Sequence, residues 1–268
     1  MSTLARISIA PVKGLRLSHP DAVALSARGI PTDRRFLLVD EAGELIDATD
    51  VGILQRIVPD YDAAAERLAL RFPNGDTVEG PAARLGDPVV ARISRHISPG
   101  RRVLGPFDAA LSAFAGRSLQ LLRSDDDGTA QDVHPLTVVS SASVRDLGAR
   151  RGVEDLDPRR FRINLEVAGP AAYEEDAWAG RQLSVGAATI RVLGQIPRCV
   201  VTTLDPDTGE KDFPTLNELA RYRPRIDARA GLPFGMYAEV VQPGRVAVGD
   251  PVAPVSSARD GTASAAGR

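Results

Sequence analysis

Short apolar stretches, each broken by turn-forming residues, run along most of the chain. Residues 68–72 and 77–80 flank Asn74 and Gly75, a dipeptide that strongly favours a β-hairpin turn. Further strands are predicted at residues 4–9, 36–40, 44–48, 119–123, 137–139, 162–167, 182–185, 189–192, 200–204, 237–241 and 245–248. Many short strands joined by turns predict a mainly β protein, with minor α content and a closed or nearly closed barrel.

One clear helix is predicted at residues 107–115, where apolar side chains recur at helical spacing until Gly116. Because it is the first helix-like stretch after a long run of strands, we predict a domain boundary in the Ser-Pro-Gly-Arg-Arg segment at residues 98–102. This places an N-terminal β domain at residues 1–97 and a larger β domain at residues 103–255.

Composition limits the classes of protein that need consideration. The chain has 268 residues and a formal net charge of −2, so no basic footprint for nucleic acid or an anionic membrane is visible. It has neither a signal-peptide pattern nor an apolar run of about 18 residues, which predicts a cytoplasmic protein. The acidic residues 124–132 are predicted as a solvated loop and residues 256–268 as a disordered tail.

The only cysteine, Cys199, is the strongest candidate for chemistry. It follows Arg198, and a cationic neighbour lowers the pKa of a thiol and favours the thiolate that attacks electrophiles or binds soft metals. The alternative is a structural cysteine, because free cysteine is often buried and residues 200–204 resemble a core strand. No histidine has metal-ligand spacing, and no nucleophile elbow, Walker A loop or dinucleotide glycine fingerprint is present.

A set of motifs in a fixed order resembles the MOSC family, which includes the C-terminal domain of molybdenum-cofactor sulfurases and amidoxime-reducing enzymes. The matching segments are residues 10–15, 29–36, 140–143, 161–164, 175–178, 198–209, 233–237 and 248–252. The resemblance implies a MOSC-type β-barrel domain behind a smaller N-terminal β-barrel-like domain. Descriptions of the family also mention pyridoxal phosphate binding.

The resemblance also implies an activity. Its best-described chemistry is the reduction of N-hydroxylated or similar N–O substrates on a molybdenum cofactor. No ferredoxin-type cysteine cluster follows the barrel, so we expect a separate ferredoxin- or flavin-type reductase to supply electrons. Two alternatives stay open: a sulfur- or cofactor-carrier module that uses a persulfide on Cys199, and a non-enzymatic barrel with a buried cysteine.

On this resemblance Cys199 is the catalytic residue and metal ligand. The implied cofactor contacts are Lys13, Arg34, Arg35, Ser140, Ser141, Ser143, Arg162, Asn164 and Arg198. The three serines lie where a predicted strand enters a helix, whose first-turn N–H groups favour a phosphate. The alternative there is an ordinary capping box of Ser143 with Asp146.

Arg162 and Asn164 are two residues apart in a predicted strand and would share one face, a pairing suited to phosphate and pterin edges. Strand arginines are more often solvent-facing, and residues 33–35 would equally suit a surface ion-pair cluster. Three departures from the family pattern weaken the expected cofactor contacts: Ile163 in place of proline, Gly14 in place of serine, and Asp-Ala-Thr-Asp at residues 47–50.

Overall fold

The computed structural model describes residues 1–93, 96–126, 130–226 and 231–255. The strands in these ranges are β1 (Ser2–Ile7), β2 (Ala22–Leu25), β3 (Phe36–Val39), β4 (Val58–Asp62), β5 (Arg67–Arg71), β6 (Thr77–Pro81), β7 (Leu85–Ile93), β8 (His96–Val103), β9 (Gln120–Ser124), β10 (Leu136–Ser140), β11 (Leu165–Ala168), β12 (Gln182–Val185), β13 (Ala188–Arg198), β14 (Leu232–Gln242), β15 (Gly244–Ala247) and β16 (Pro251–Pro254). The α-helices are α1 (Phe107–Ala115), α2 (Ser141–Ala149) and α3 (Thr215–Tyr222). Four 3₁₀ turns lie at Gly52–Arg56, Pro158–Phe161, Glu174–Trp178 and Val200–Thr203.

Seven strands close a barrel in the order β1, β11, β10, β14, β13, β12 and β16, and β16 returns to pair with β1. The strands alternate as a barrel requires: in β11, Leu165 and Val167 are buried while the residues between and after them are half-buried. Side chains from the barrel strands, including Ile7 and Val192, fill the interior as one hydrophobic core. The predicted mainly β fold with a closed barrel is confirmed.

Two further sheets pack around a second core. The four-stranded sheet has the order β3, β9, β8 and β7, and the three-stranded sheet has the order β4, β5 and β6. β5 and β6 form the predicted hairpin, with Gly75 at φ 93° in its turn. Helix α1 has the predicted bounds and buries Phe107 and Leu111 against this core. It ends at Gly116, which adopts the left-handed conformation.

Strand pairing crosses the predicted domain division. β1, from the N-terminus, pairs with β11 and β16 of the barrel, and β2 pairs with β15. The segment at residues 98–102, where we predicted the domain boundary, does not interrupt the secondary structure, because these residues lie inside β8 and pair with β7 and β9. Pro99 and Gly100 suggested a break, but both fit within an antiparallel ladder. The assignment of domains to residues 1–97 and 103–255 stays a prediction.

Two strand predictions near the candidate site need correction: the first strand is absent, and the second begins later than predicted. Residues 200–203 form a 3₁₀ turn, because the hydroxyls of Thr202 and Thr203 donate to the carbonyls three residues earlier. Arg162 does not lie in a strand but ends the turn Pro158–Phe161 in the left-handed conformation, and β11 begins only at Leu165. An aspartate cap on that turn, with proline at its first position, favours helical rather than extended backbone there.

The acidic loop is only partly described. Ser124 belongs to β9, and Ala130 is fully buried beside the four-stranded sheet, so the solvated-loop prediction does not hold for these residues. Residues 127–129 and the predicted tail at 256–268 lie outside the described residues. Within the described chain, no helix has both the length and the apolar character needed to cross a membrane.

Candidate functional site

Four cationic side chains from distant parts of the chain come together between the barrel and the second core. Arg34 Nη2 donates to the carbonyl oxygen of Arg162 at 3.2 Å. Burial, together with the charge of Arg34, lowers the pKa of Arg162 to about 10. Burial also lowers the pKa of Arg198 to about 10, and Arg34 again contributes. Lys13 joins this group through Asp132, because the charges of Lys13, Arg34 and Arg162 all lower the pKa of the Asp132 carboxyl.

Arg198 has one hydrogen-bonding atom left over. It ends β13, and its Nε donates to Phe234 O at 2.7 Å and its Nη1 to Phe161 O at 2.9 Å. Its Nη2 is buried and has no hydrogen-bond partner among the described residues. Gly235 lies beside this nitrogen at φ 72°, where an added Cβ would come within 3.2 Å of Nη2. A buried guanidinium with an unused donor is the group that an anionic ligand would satisfy.

Lys13 is held by the end of the acidic segment 124–132. Its Nζ donates to Ala130 O at 3.0 Å and to Asp132 Oδ1 at 2.6 Å. The Lys13 side chain is 5% exposed and that of Asp132 is 66% exposed, so the carboxylate lies on the solvent side. Desolvation opposes ionisation of Asp132, but Lys13 and the arginines hold its pKa below the usual value. Sequence reasoning missed Asp132, because nothing in the acidic run separates it from solvated neighbours.

Asp33 organises the N-terminal contribution to the site. It is 1% exposed and accepts from Ala10 N at 2.7 Å and from Asn164 Nδ2 at 2.9 Å, and it also pairs with Arg34. The surface ion-pair alternative for residues 33–35 is therefore wrong for Asp33. Asn164 Nδ2 also donates to Ser8 O at 3.1 Å, and its Oδ1 accepts from a threonine hydroxyl. The Asn164 amide thus orients Asp33, and both its nitrogen and its oxygen are hydrogen-bonded to protein groups.

The three predicted serines lie at the start of α2 and are engaged with other protein groups. Ser140 caps the helix by accepting from Ala142 N, and its hydroxyl donates to a backbone carbonyl. Ser141 donates to Glu166 Oε1 at 2.7 Å, and Ser143 accepts from Tyr173 N at 2.7 Å. The cap is at Ser140, so the capping box predicted at Ser143 is wrong. An anion site at these serines stays a prediction.

Arg35 occupies a different surface from Arg34. It lines a groove of about 410 Å³ together with Ser26, Arg28, Asp125 and Asp126. Lys13, Arg34, Arg162 and Arg198 therefore all interact electrostatically with Asp132, and Arg198 also adjoins Cys199, whereas Arg35 and the α2 serines lie in other surroundings. We call those four cations with Cys199 the cationic cradle.

Cys199 is exposed, so the core-cysteine alternative is wrong. Its thiol pKa is raised rather than lowered, because the surrounding protein removes water from the sulfur and Asp47 adds an unfavourable charge. A backbone hydrogen bond from Val201 and the charge of Arg198 oppose this rise without overcoming it. Arg198 thus acts on the thiol in the predicted direction, but the loss of water around the sulfur outweighs its charge, so the predicted net lowering of the pKa is wrong.

A groove of about 390 Å³ lies beside the thiol-bearing turn. Its walls come from the 3₁₀ turn, the segment before α3 and the start of α3, with Val200, Phe213 and Leu216 supplying apolar surface. Lys211 and Asn217 provide polar groups in the same lining. The groove offers space for an apolar body next to Cys199.

The donor set fits a large anion better than a free metal ion. The positive charges outnumber the negative ones: there are four cationic side chains and two carboxylates in direct contact with them. The cations are Lys13, Arg34, Arg162 and Arg198, and the carboxylates are Asp33 and Asp132. No group of three or more His, Cys, Asp or Glu side chains that would hold a metal is found in the described ranges. One thiol is a sparse donor set, so a metal at Cys199 needs most of its ligands from an organic cofactor. An anionic, metal-carrying cofactor meets both requirements.

Two family models match consecutive parts of this chain. A family model described as the MOSC domain matches residues 125–253, and one described as the MOSC N-terminal beta barrel domain matches residues 1–96. The chain belongs to the MOSC family.

Individual relatives match along almost the whole chain. The mitochondrial amidoxime-reducing component 1 of Mus musculus is 28% identical, over 94% of this chain and 82% of the relative. The mitochondrial amidoxime reducing component 2 of Homo sapiens is 27% identical, over 94% of this chain and 83% of the relative. A molybdenum cofactor sulfurase of Bos taurus is 23% identical over 94% of this chain, which corresponds to 32% of that protein.

Proposed function

We propose that this protein is a molybdenum-cofactor-dependent oxidoreductase that reduces N-hydroxylated or similar N–O compounds. The observation that carries the proposal is the cationic cradle: an exposed thiol adjoining a buried guanidinium whose Nη2 is unpartnered among the described residues. The names of the amidoxime-reducing relatives support the reaction class.

Each residue of the cradle has a distinct task in this proposal. Lys13, Arg34, Arg162 and Arg198 bind the anionic part of the cofactor through charge-assisted hydrogen bonds. Cys199 binds the metal as a thiolate. The raised pKa of its free thiol means that metal binding must displace the proton. When bound, the cofactor supplies two-electron molybdenum chemistry that removes an oxygen atom from an N–O bond.

In this proposal the substrate binds in the groove beside Cys199. Its apolar lining from Val200, Phe213 and Leu216 suits an aromatic or aliphatic body, with the N–O group directed to the thiol side. The reduction takes up two electrons and two protons, breaks the N–O bond and releases water. A separate ferredoxin- or flavin-type reductase supplies the electrons.

The test compares protein from a host that makes the molybdenum cofactor with protein from a host that cannot. With benzamidoxime as substrate and a reduced viologen dye as electron source, we expect benzamidine only from the cofactor-loaded protein. Equal rates for the two preparations would contradict the proposal.

A second candidate function follows from the exposure of the single thiol. Cys199 is accessible enough to carry a persulfide and pass sulfur or cofactor to another protein. Cyanide-releasable sulfur on metal-free protein, without benzamidoxime reduction, would favour this carrier role over the oxidoreductase.

A further inference from the structure

The last two residues of the 3₁₀ turn Pro158–Phe161 and Arg162, which ends it, contact three different segments around the cationic cradle. Arg160 bonds the turn that carries Cys199. The carbonyl of Phe161 accepts from Arg198 Nη1 at 2.9 Å. Arg162 donates from Nη2 to Leu15 O at 2.8 Å, which ties it to the N-terminal segment. Residues 160–162 therefore connect the thiol to the groups that would bind the anion.

Arg160 is a buried, charged residue whose guanidinium bonds only protein groups. It is 3% exposed, and Nη1 donates to Thr202 O at 3.3 Å and to Leu204 O at 3.5 Å. Nη1 and Nη2 also form a bidentate pair with Asp212, at 2.9 and 2.8 Å. A planar guanidinium bridges these acceptors in one fixed geometry, which the single ammonium of lysine does not reproduce.

Other bonds to the thiol-bearing turn come from the segment that follows it along the chain. Asp212 N donates to Thr203 O at 3.1 Å, and Leu204 forms a β-bridge with Lys211. Thr215 Oγ1 donates to Thr202 O at 2.6 Å and attaches the turn to α3. Arg160 instead bonds the carbonyls of Thr202 and Leu204 from a segment that precedes the turn in the chain. It thus holds the turn on the side that faces residues 161 and 162.

We propose that Arg160 is a positioning residue, which holds the Cys199 turn at a fixed separation from Arg162 and Arg198. Its importance for the reaction rests on the proposed function. The holding itself is a property of the cofactor-free chain and is measured without molybdenum.

The single cysteine makes the test site-specific. Cofactor-free wild type, Arg160→Met, Arg160→Lys and Arg123→Met are alkylated with iodoacetamide at one pH, and hydrogen exchange is followed at the amides of Thr202 and Leu204. Arg123 forms a bidentate pair with Glu66 in the other core and is the matched control. We expect Arg160→Met to react about fivefold faster and to exchange both amides faster, because the turn opens locally. Arg160→Lys falls between it and wild type, and Arg123→Met matches wild type.

A lower melting temperature for Arg160→Met with wild-type alkylation and exchange would overturn the proposal and leave Arg160 a structural residue. If Arg160→Met does not fold, Arg160→Lys decides, and wild-type behaviour of that variant also overturns it. Should the wild type take up no molybdenum in a cofactor-competent host, the proposed function fails while the alkylation result still judges Arg160.

Discussion

Arg162→Ala should release the cofactor while leaving the fold almost unchanged. Within the described residues of the cofactor-free protein, the Arg162 side chain makes one hydrogen bond, to Leu15 O, whose loss costs about 1 kcal/mol. Against this, burial and Arg34 lower the pKa of Arg162 to about 10, so removal of the charge relieves an unfavourable term of roughly 3 kcal/mol at most. Arg162 has φ 53°, and arginine and alanine suffer similar strain in this left-handed conformation, so the substitution should not change the backbone strain. We expect the free energy of unfolding to change by no more than about 2 kcal/mol in either direction.

Arg162→Ala should change the free energy of cofactor binding more than the free energy of unfolding, and it should always weaken binding. A lost charge-assisted contact to phosphate weakens binding by about 1.5 to 3 kcal/mol, or roughly 10- to 150-fold. The assay measures pterin retained after gel filtration, beside urea unfolding of cofactor-free protein. Arg145→Ala is the control, because Arg145 is exposed on α2. Undiminished pterin in Arg162→Ala would refute the assignment of Arg162 to the cradle.

Two other substitutions test the close packing at Gly235, beside the cradle, and the burial of Glu175, near the start of α2. Gly235→Ala should lower the free energy of unfolding by about 1 to 3 kcal/mol and reduce pterin retention, because the new Cβ would lie 2.8 Å from Ile163 Cδ1 and 3.2 Å from Arg198 Nη2; unchanged urea unfolding would contradict this. Glu175 is 1% exposed, and its burial raises its pKa to about 7, so the native protein keeps a proton that the unfolded chain releases above about pH 4.3. The free energy of unfolding should therefore fall by roughly 3 kcal/mol as the pH rises from about 4.5 to 7. Glu175→Gln should remove this fall in the free energy of unfolding, whereas Glu174→Gln, at an exposed position, should not. Parallel pH profiles of stability for wild type and Glu175→Gln would show that Glu175 does not cause the fall.

Much of the fold was predictable because local signals and tertiary packing agree. The Asn74–Gly75 hairpin and helix α1 follow from turn chemistry and apolar spacing that the two hydrophobic cores then use. The pairing of β1 with β11 and β16 was not predictable, since no local pattern states which distant strand will be its neighbour. Pro99 and Gly100 misled for a related reason, because the ladder of β8 outweighs their turn preference.

The candidate site was only partly predictable. The motif resemblance picked out Lys13, Arg34, Arg162 and Arg198, and the structure brings these residues together. It could not show that Arg162 reaches the site from a left-handed backbone position. Nor could the sequence reveal that Asp132 would bond Lys13, because the two residues are 119 positions apart and no local pattern specifies their contact.

The most direct test of the account is the molybdenum content of wild type and Cys199→Ser, both purified from a cofactor-competent host. Serine is nearly isosteric with cysteine, and the side chain is exposed, so the cofactor-free variant should melt close to wild type. Serine is also a harder and far less acidic ligand than a thiol. We predict about one molybdenum per wild-type chain and a loss of at least about 90% in Cys199→Ser, with benzamidoxime reduction abolished. Equal molybdenum content and equal activity in the two proteins would contradict Cys199 as the metal ligand.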